Sequence, residues 1–382
     1  MRRGGPGEPR FYTQVHVHMR DAVLVTTPAA LEAAVFRLES STRLAIDTEF
    51  MREKTYYPQL CLLQVATGTD CYLFDPLVGL DLGPLHALIG DRSKLKILHA
   101  ARQDLEVLQA GHRPVPAPVF DTQVAAGLIG LPPQVGYADL VARRLGHSID
   151  KGQTRTDWSR RPLTPEQLAY AADDVHHLLA LHSDLADALA AQGRDGWLAE
   201  DAAALEDPAI YRTEPADAWR RLKGLGRLAP SAQSVARALA EWRERRAIEA
   251  DKPRGWILTD DALYGIAVVS PRTVEALGDV RTLPPATLRK RGEELVELVK
   301  TALAGPSGDV VTEPRRPTSE ENARVSRLQA VVRDVATGLG VAPEILATRR
   351  DIEALVFTDR GVSAVLRGWR REVVGERLLA TG

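Results

Sequence analysis

Residues 44–50 read LAIDTEF, residues 60–66 read LCLLQVA, and residues 71–74 read CYLF. The second run ends at the turn Thr67-Gly68-Thr69-Asp70, and the third follows at hairpin distance. Three short, mostly buried strands, adjacent in one sheet, are the expected outcome. Outward from there, residues 82–90 carry a helical pattern and Leu95–Leu98 (LKIL) another strand. Ala101–Ala110 then puts Leu105 and Leu108 on one helix face before Gly111 stops it. Strands alternating with helices predict an α/β sheet covered by helices. Residues 132–162, rich in Pro, Gly, Arg and Lys, read as an ordered excursion. Thr164 opens a helix, with Pro at the first helical position and an acid and amide in the first turn. That helix is predicted to run to about residue 190, and a second to reach Leu205.

Beyond Pro208 the strand signal stops. Residues 215–300 read as four or five short helices, residues 304–319 (AGPSGDVVTEPRRPTS) have linker composition, and residues 320–378 are helical again. The chain of 382 residues suits two or three domains at about 150 residues each. The expected division is a disordered extension over 1–19, an α/β domain over 20–207, a helical domain over 212–302, a linker over 303–319 and a second helical domain over 320–382. With 45% hydrophobic and 26% charged residues, wholesale disorder is excluded. The absence of an apolar run of about 18 residues excludes a membrane span. The basic opening MRRGGPGEPR lacks the apolar core of a secretory signal. Cys61 and Cys71 cannot build a disulfide framework and are expected as small buried hydrophobes in a reducing cytoplasm.

The net charge of −2 is unevenly spread. Residues 211–382 hold 29 basic against 24 acidic side chains (net +5), and residues 1–210 hold 20 against 27 (net −7). Carboxylates concentrated at a site in the first half, and a polyanion met by the second, would produce that split.

Asp47 and Glu49 are two apart in a strand, so both carboxylates project from one face among apolar neighbours. Two acids there repel and lose solvation unless a positive charge sits between them, and a divalent cation supplies it economically. Asp104 lies in the first turns of the helix after Leu95–Leu98, near the carboxyl edge of the sheet where α/β folds hold ligands. Glu106, two residues on, faces elsewhere, and His99 reads as a hydrogen-bonded structural histidine. Tyr170 and Asp174 are four apart and stack on one helix face, while Asp173 is turned away. A phenol one turn from a metal-binding carboxylate can orient a water for attack on phosphorus.

With these acids in this order, the first half resembles the DEDDy 3′–5′ exonucleases, and within them the ribonuclease D family. DTEF (47–50), TYYPQLCLLQ (55–64), DPL (75–77), LHAARQDLEVL (98–108), FDTQ (120–123) and TDWSRRPLTPEQLAYAADDV (156–175) carry the resemblance. It implies a ribonuclease H-like mixed sheet with helices on both faces. It implies that Asp47, Glu49, Asp104 and Asp174 hold two divalent metal ions, Mg²⁺ or Mn²⁺, with Tyr170 as the residue that marks the Tyr-type subclass. Residues 240–267 resemble the HRDC module, and residues 320–380 a diverged second copy. The activity implied is 3′–5′ exoribonuclease action on structured RNA such as tRNA precursors, releasing nucleoside 5′-monophosphates. A monomer without organic cofactor is expected. The alternatives are a DNA 3′–5′ exonuclease and a non-catalytic RNA-binding adaptor. In the loop before the Tyr170 helix, Lys151, Arg155, Arg160 and Arg161 are candidate phosphate contacts, whereas Trp158 and Trp242 read as packing residues. Because every candidate catalytic residue precedes residue 175, a chain cut after residue 207 is expected to fold and keep catalysis.

Overall fold

The computed structural model describes residues 22–110, 113–149, 152, 156–306, 309–313, 315–357 and 363–381, so the extension expected over 1–19 lies outside the described residues. The first half alternates short strands and helices: β1 (Val23–Val25), α1 (Pro28–Glu39), β2 (Arg43–Met51), β3 (Gln59–Ala66), β4 (Cys71–Phe74), α2 (Gly83–Gly90), β5 (Leu95–Leu98), α3 (Arg102–Leu108) and β6 (Val119–Asp121). They form one mixed sheet in the order β1-β4-β3-β2-β5-β6. The three strands read from sequence are its antiparallel centre, and β1, β5 and β6 add on in parallel. β1 and β6 are three residues each, too short to leave a period-two signature. Alternation sorts the side chains: Leu44, Ile46, Leu63, Val65 and Phe74 enter a core with Leu31, Leu85 and Leu105 on one side. Ala45, Leu62, Leu73 and Ile97 enter another core on the opposite side.

That second face is covered by α4 (Thr122–Leu128), α5 (Tyr137–Leu145), α6 (Pro165–His176), α7 (Leu178–Ala191) and α8 (Asp195–Leu205). The excursion over 132–162 therefore holds a helix, α5. Helix α6 starts at a full capping box of Thr164 and Gln167. The single helix expected to run to about residue 190 is broken at His177. Tyr137 is the cause: its hydroxyl donates to the Asp173 carbonyl and accepts the His177 N–H, each at 3.1 Å. A phenol thus stands where the helical bond between those two groups would be, which kinks the chain.

The next segment holds α9 (Pro230–Ala250), α10 (Arg254–Ile257), α11 (Asp260–Val269), α12 (Val274–Gly278) and α13 (Pro285–Ala304), around a core that includes Val235, Leu239, Leu263, Ile266, Leu295 and Val299. Two of these helices are long, at 21 and 20 residues, rather than uniformly short as read. Trp242 is buried and its indole N–H donates to Glu294. The segment read as a linker is strapped to this module, because the Gln233 side-chain amide brackets both the N–H and the carbonyl of Val311.

The largest correction concerns the C-terminal helices α14 (Ser319–Leu339), α15 (Pro343–Leu346), α16 (Arg349–Phe357) and the helical turns over 368–381. They were expected as a separate domain over 320–382. Instead Val325, Leu328, Val332, Leu346, Ile352 and Trp369 share one continuous core with the sheet and α4–α8. Trp369 stacks on Trp197 of α8 at 4.3 Å and 6°. Its backbone N–H donates to Glu200, and Arg370 pairs with Asp201. Arg194 donates to the carbonyls of Leu128 and Leu339. A Cβ at Gly127 would stand 2.7 Å from the Ile345 side chain, and one at Gly130 only 2.3 Å from the Gly340 carbonyl. These helices bury their apolar faces against the α/β half, which serves as their second layer.

A chain cut after residue 207 would consequently expose this core, contrary to the expectation above. Trp369→Ala should lower the unfolding free energy by about 3–5 kcal/mol, as for other buried Trp truncations, in a single denaturant transition that includes the sheet. A separate early transition confined to residues 319–381 would show that the two parts fold independently.

Candidate active site

The alternation of β2 puts Asp47 and Glu49 on the face that α6 crosses, and α6 brings Tyr170 and Asp174 onto them. Oxygens of Asp47, Glu49 and Asp174 lie within 4.8 Å of one another. Asp104 stands beside this trio on α3, only 7% exposed, and accepts a 2.5 Å hydrogen bond from the Thr48 hydroxyl. Its helix is set by Asp121, whose carboxylate accepts the N–H groups of Ala100 (φ +56°) and Ala101 and caps α4 as well. Four carboxylates with a phenol alongside are therefore brought to one place.

Their proton affinities record the crowding. Burial, then Asp104, Asp174 and Glu49, hold Asp47 well above the ordinary carboxylate range. Glu49 is pushed up to about 9 by burial and by Asp174 and Asp104. Burial likewise raises Asp104 to about 7. It raises Asp174 to about 7 against the opposing hydrogen bond from Tyr170. Among the described residues no Lys or Arg is paired with any of the four. Gln64, directly opposite Asp47 in the β2–β3 register, is fully buried and its amide has no partner among the described residues. An all-oxygen donor set with unneutralised charge suits a hard divalent cation.

The neighbouring residues sort differently from their sequence reading. His99 is held by Thr122 and the Val135 carbonyl, a structural arrangement. Glu106 points away and pairs with Arg52 at 2.7 Å. Trp158 is buried, with its ring 6.1 Å from that of Tyr170. Among the candidate phosphate contacts, Lys151 and Arg155 lie outside the described residues. Arg160 is exposed beside Asp157. Arg161 is a correction. Its five N–H donors go to both oxygens of Asp75 and to the carbonyls of Cys61, Trp158 and Arg160, so none is left for a phosphate. Arg243 is likewise buried on Asp260 and the Leu258 carbonyl, while Arg245 and Arg246 pair with glutamates.

Sequence reasoning missed Tyr137, Asp121 and Gln64, which shape the site without belonging to the acidic motif. Only Asp121 left a local signal, as an acid directly before the Thr-Gln that opens a helix.

Comparison with known proteins gives a consistent picture. Residues 22–190 match the family model described as 3′–5′ exonuclease, and residues 232–299 match that of the HRDC domain. The chain is 40% identical to ribonuclease D of Acidiphilium cryptum over 363 residues, covering 94% of this chain and 92% of that one. It is 37% identical to ribonuclease D of Pseudomonas paraeruginosa over 344 residues, 88% of this chain and 91% of that one. The crystal structure of Escherichia coli RNase D, described as an exoribonuclease involved in structured RNA processing, superposes with a TM-score of 0.86 at 30% identity. It covers 95% of this chain and 98% of its own.

The raised carboxyls make a test without any substrate. An acid whose pKa is higher folded than unfolded binds extra protons in the folded state, so stability falls as pH rises between the two values. In the cation-free protein the carboxyls should therefore pull the thermal midpoint down as pH climbs from about 4 through about 7 and 9, while the half-buried histidines, whose pKa values are lowered, act in the opposite direction below about 6.5. Asp47→Asn should flatten that slope and raise the midpoint near pH 8. Wild-type and Asp47→Asn midpoints with the same pH slope would mean the four carboxyls do not repel one another as described.

Proposed function

The chain belongs to the ribonuclease D family, and on that premise we propose that it is a 3′–5′ exoribonuclease that trims the 3′ ends of structured RNA, such as tRNA precursors, by metal-assisted hydrolysis. The observation that carries this reading is the convergence of Asp47, Glu49 and Asp174 within 4.8 Å, with Asp104 beside them and Tyr170 bonded to Asp174. The residues present fit two divalent cations: Asp47, Glu49 and Asp174 would hold one, and Asp47 with Asp104 a second. Bound there, Mg²⁺ or Mn²⁺ would supply Lewis acidity to an in-line displacement at phosphorus.

The chain's own groups do the rest. Tyr170 is one helical turn from Asp174, so its hydroxyl can hold the attacking water while Asp174 remains ionised. Asp47 and Glu49 keep fixed spacing because they belong to one strand and are paired in register with Gln64 and Leu62 of β3. Asp104, which accepts a hydrogen bond from the Thr48 hydroxyl, would face the leaving 3′ oxygen. The products would be nucleoside 5′-monophosphates. The Escherichia coli relative's part in structured RNA processing supports the substrate class.

The helical module over 212–302 and the strapped segment over 303–319 would extend the RNA-contacting surface of the 20–207 domain, with Arg160 as a phosphate contact at its edge. A monomer in the cytoplasm is part of the same reading. Both cysteines are free and buried, and no described helix is long and apolar enough to cross a membrane.

Two substitutions test the mechanism. Tyr170→Phe keeps the ring and deletes the hydroxyl, and the rate should fall roughly 10²–10⁴-fold, the range for one positioned proton-handling group. Asp174→Asn should abolish release of 5′-mononucleotides from a 3′-labelled RNA while RNA binding persists. Matched RNA and DNA oligomers with Mg²⁺ or Mn²⁺ decide the sugar. Cleavage of DNA alone would overturn the exoribonuclease reading, and an unchanged Tyr170→Phe rate would overturn the role of the phenol.

A further inference from the structure

We propose that Asp251 of the helical module is a positioning residue for the carboxylate site, acting through a clamp on the β2–β3 connection. This rests on the exonuclease reading above.

The connection over 52–58 leaves β2 after Met51, just beyond the point where the β2–β3 register slips between Glu49 and Phe50. It has no strand partner of its own, so its course depends on what grips it. The grip comes from α9. The Asp251 carboxylate accepts the backbone N–H of Tyr56 at 2.9 Å and of Tyr57 at 3.2 Å with one oxygen. The Tyr56 hydroxyl donates to Glu244, a carboxylate only 1% exposed, which Arg221 and Arg254 approach at 3.6 Å each. Glu244 and Ile248, four apart, share one face of α9, and Asp251 is the residue that ends the helix. Ile248 lines the cleft of about 650 Å³ that separates this face from the connection.

Asp251 is also the left-handed cap of α9, at φ +44°. A non-glycine residue there carries a conformational cost that Asp and Asn bear better than most. The helix end is thereby fixed at the point where the carboxylate must meet two adjacent N–H groups.

The clamp reaches both sides of the acidic site. From Glu49 the chain passes to Arg52, which pairs with Glu106 at 2.7 Å. Glu106 is two residues beyond Asp104 on α3. Holding residues 55–57 therefore holds the brace between the strand that carries Asp47 and Glu49 and the helix that carries Asp104. A metal-binding site is sensitive to such distances, since a displacement of about 1 Å can cost a hundredfold in rate. On this account the helical module does more than add affinity for RNA.

The test uses the full chain and a single-stranded RNA oligomer too short to reach the module. Asp251→Gly keeps the left-handed cap, because glycine favours that conformation, and deletes only the carboxylate. Asp251→Asn retains an oxygen that can accept the two N–H groups. For Asp251→Gly we expect kcat to fall roughly ten- to a hundredfold with KM little changed. Amide exchange at Tyr56 and Tyr57 should quicken, Mn²⁺ affinity of the substrate-free protein should weaken, and Asp251→Asn should restore most of each.

Faster exchange with unchanged kcat and Mn²⁺ affinity would reduce the clamp to a tether and overturn the proposal. Equal losses in the Gly and Asn variants, with a lowered thermal midpoint in both, would assign Asp251 to folding alone and also overturn it. If the wild type does not hydrolyse the oligomer, the exonuclease reading fails by itself, and the exchange and Mn²⁺ measurements still decide the clamp.

Discussion

Asp47, Glu49, Asp104 and Asp174 are held so near one another, in such poor contact with water, that each makes it harder for the others to ionise. No paired Lys or Arg relieves them among the described residues. A fold left to minimise its own energy would not assemble such a cluster, because an uncompensated buried charge is among the most destabilising features a protein can carry. Its persistence is explained when the cluster is regarded as half of an interaction whose other half is cationic. Strain of this kind marks a functional site.

Much of the surrounding structure resists that repulsion. Asp47 and Glu49 are paired in register with Gln64 and Leu62 of β3, and β5 holds the start of the same strand over Arg43–Ala45, so the two acids cannot splay. Asp121 ties the turn before α3, and Thr48 ties Asp104 itself. Tyr137 inserts into the end of α6 beside Asp174. Arg161, with all five donors engaged, fastens the approach to α6 against Asp75 and β3. Together these groups hold the carboxylates in register.

The central strands and the acidic residues were legible in the sequence because both depend on short-range patterns. A buried strand needs a run of apolar residues, and two acids two apart within it must share a face. The order and context of the four acids carried the family resemblance as well. What escaped reading depends on contacts distant in the chain. Nothing local in GYADL announces that the Tyr137 hydroxyl would break a helix 40 residues away. Arg161 looked like a free cation because its carboxylate partner lies 86 residues earlier. The C-terminal helices looked autonomous because amphipathic patterns report that a face is buried and not what buries it. Trp369 finds its partner in Trp197, and glycines at 127 and 130 provide the room.

The central claim is that the clustered carboxyls are a cation site kept partly protonated until it is filled. Calorimetric titration of the cation-free protein with Mn²⁺ near pH 7, in buffers of different ionisation enthalpy, measures binding and proton release together. Saturable binding should appear, with a heat that varies from buffer to buffer because protons leave the carboxyls as the cation enters, and both should be lost in Asp47→Asn. Binding with no buffer dependence, or binding undiminished in Asp47→Asn, would contradict the account.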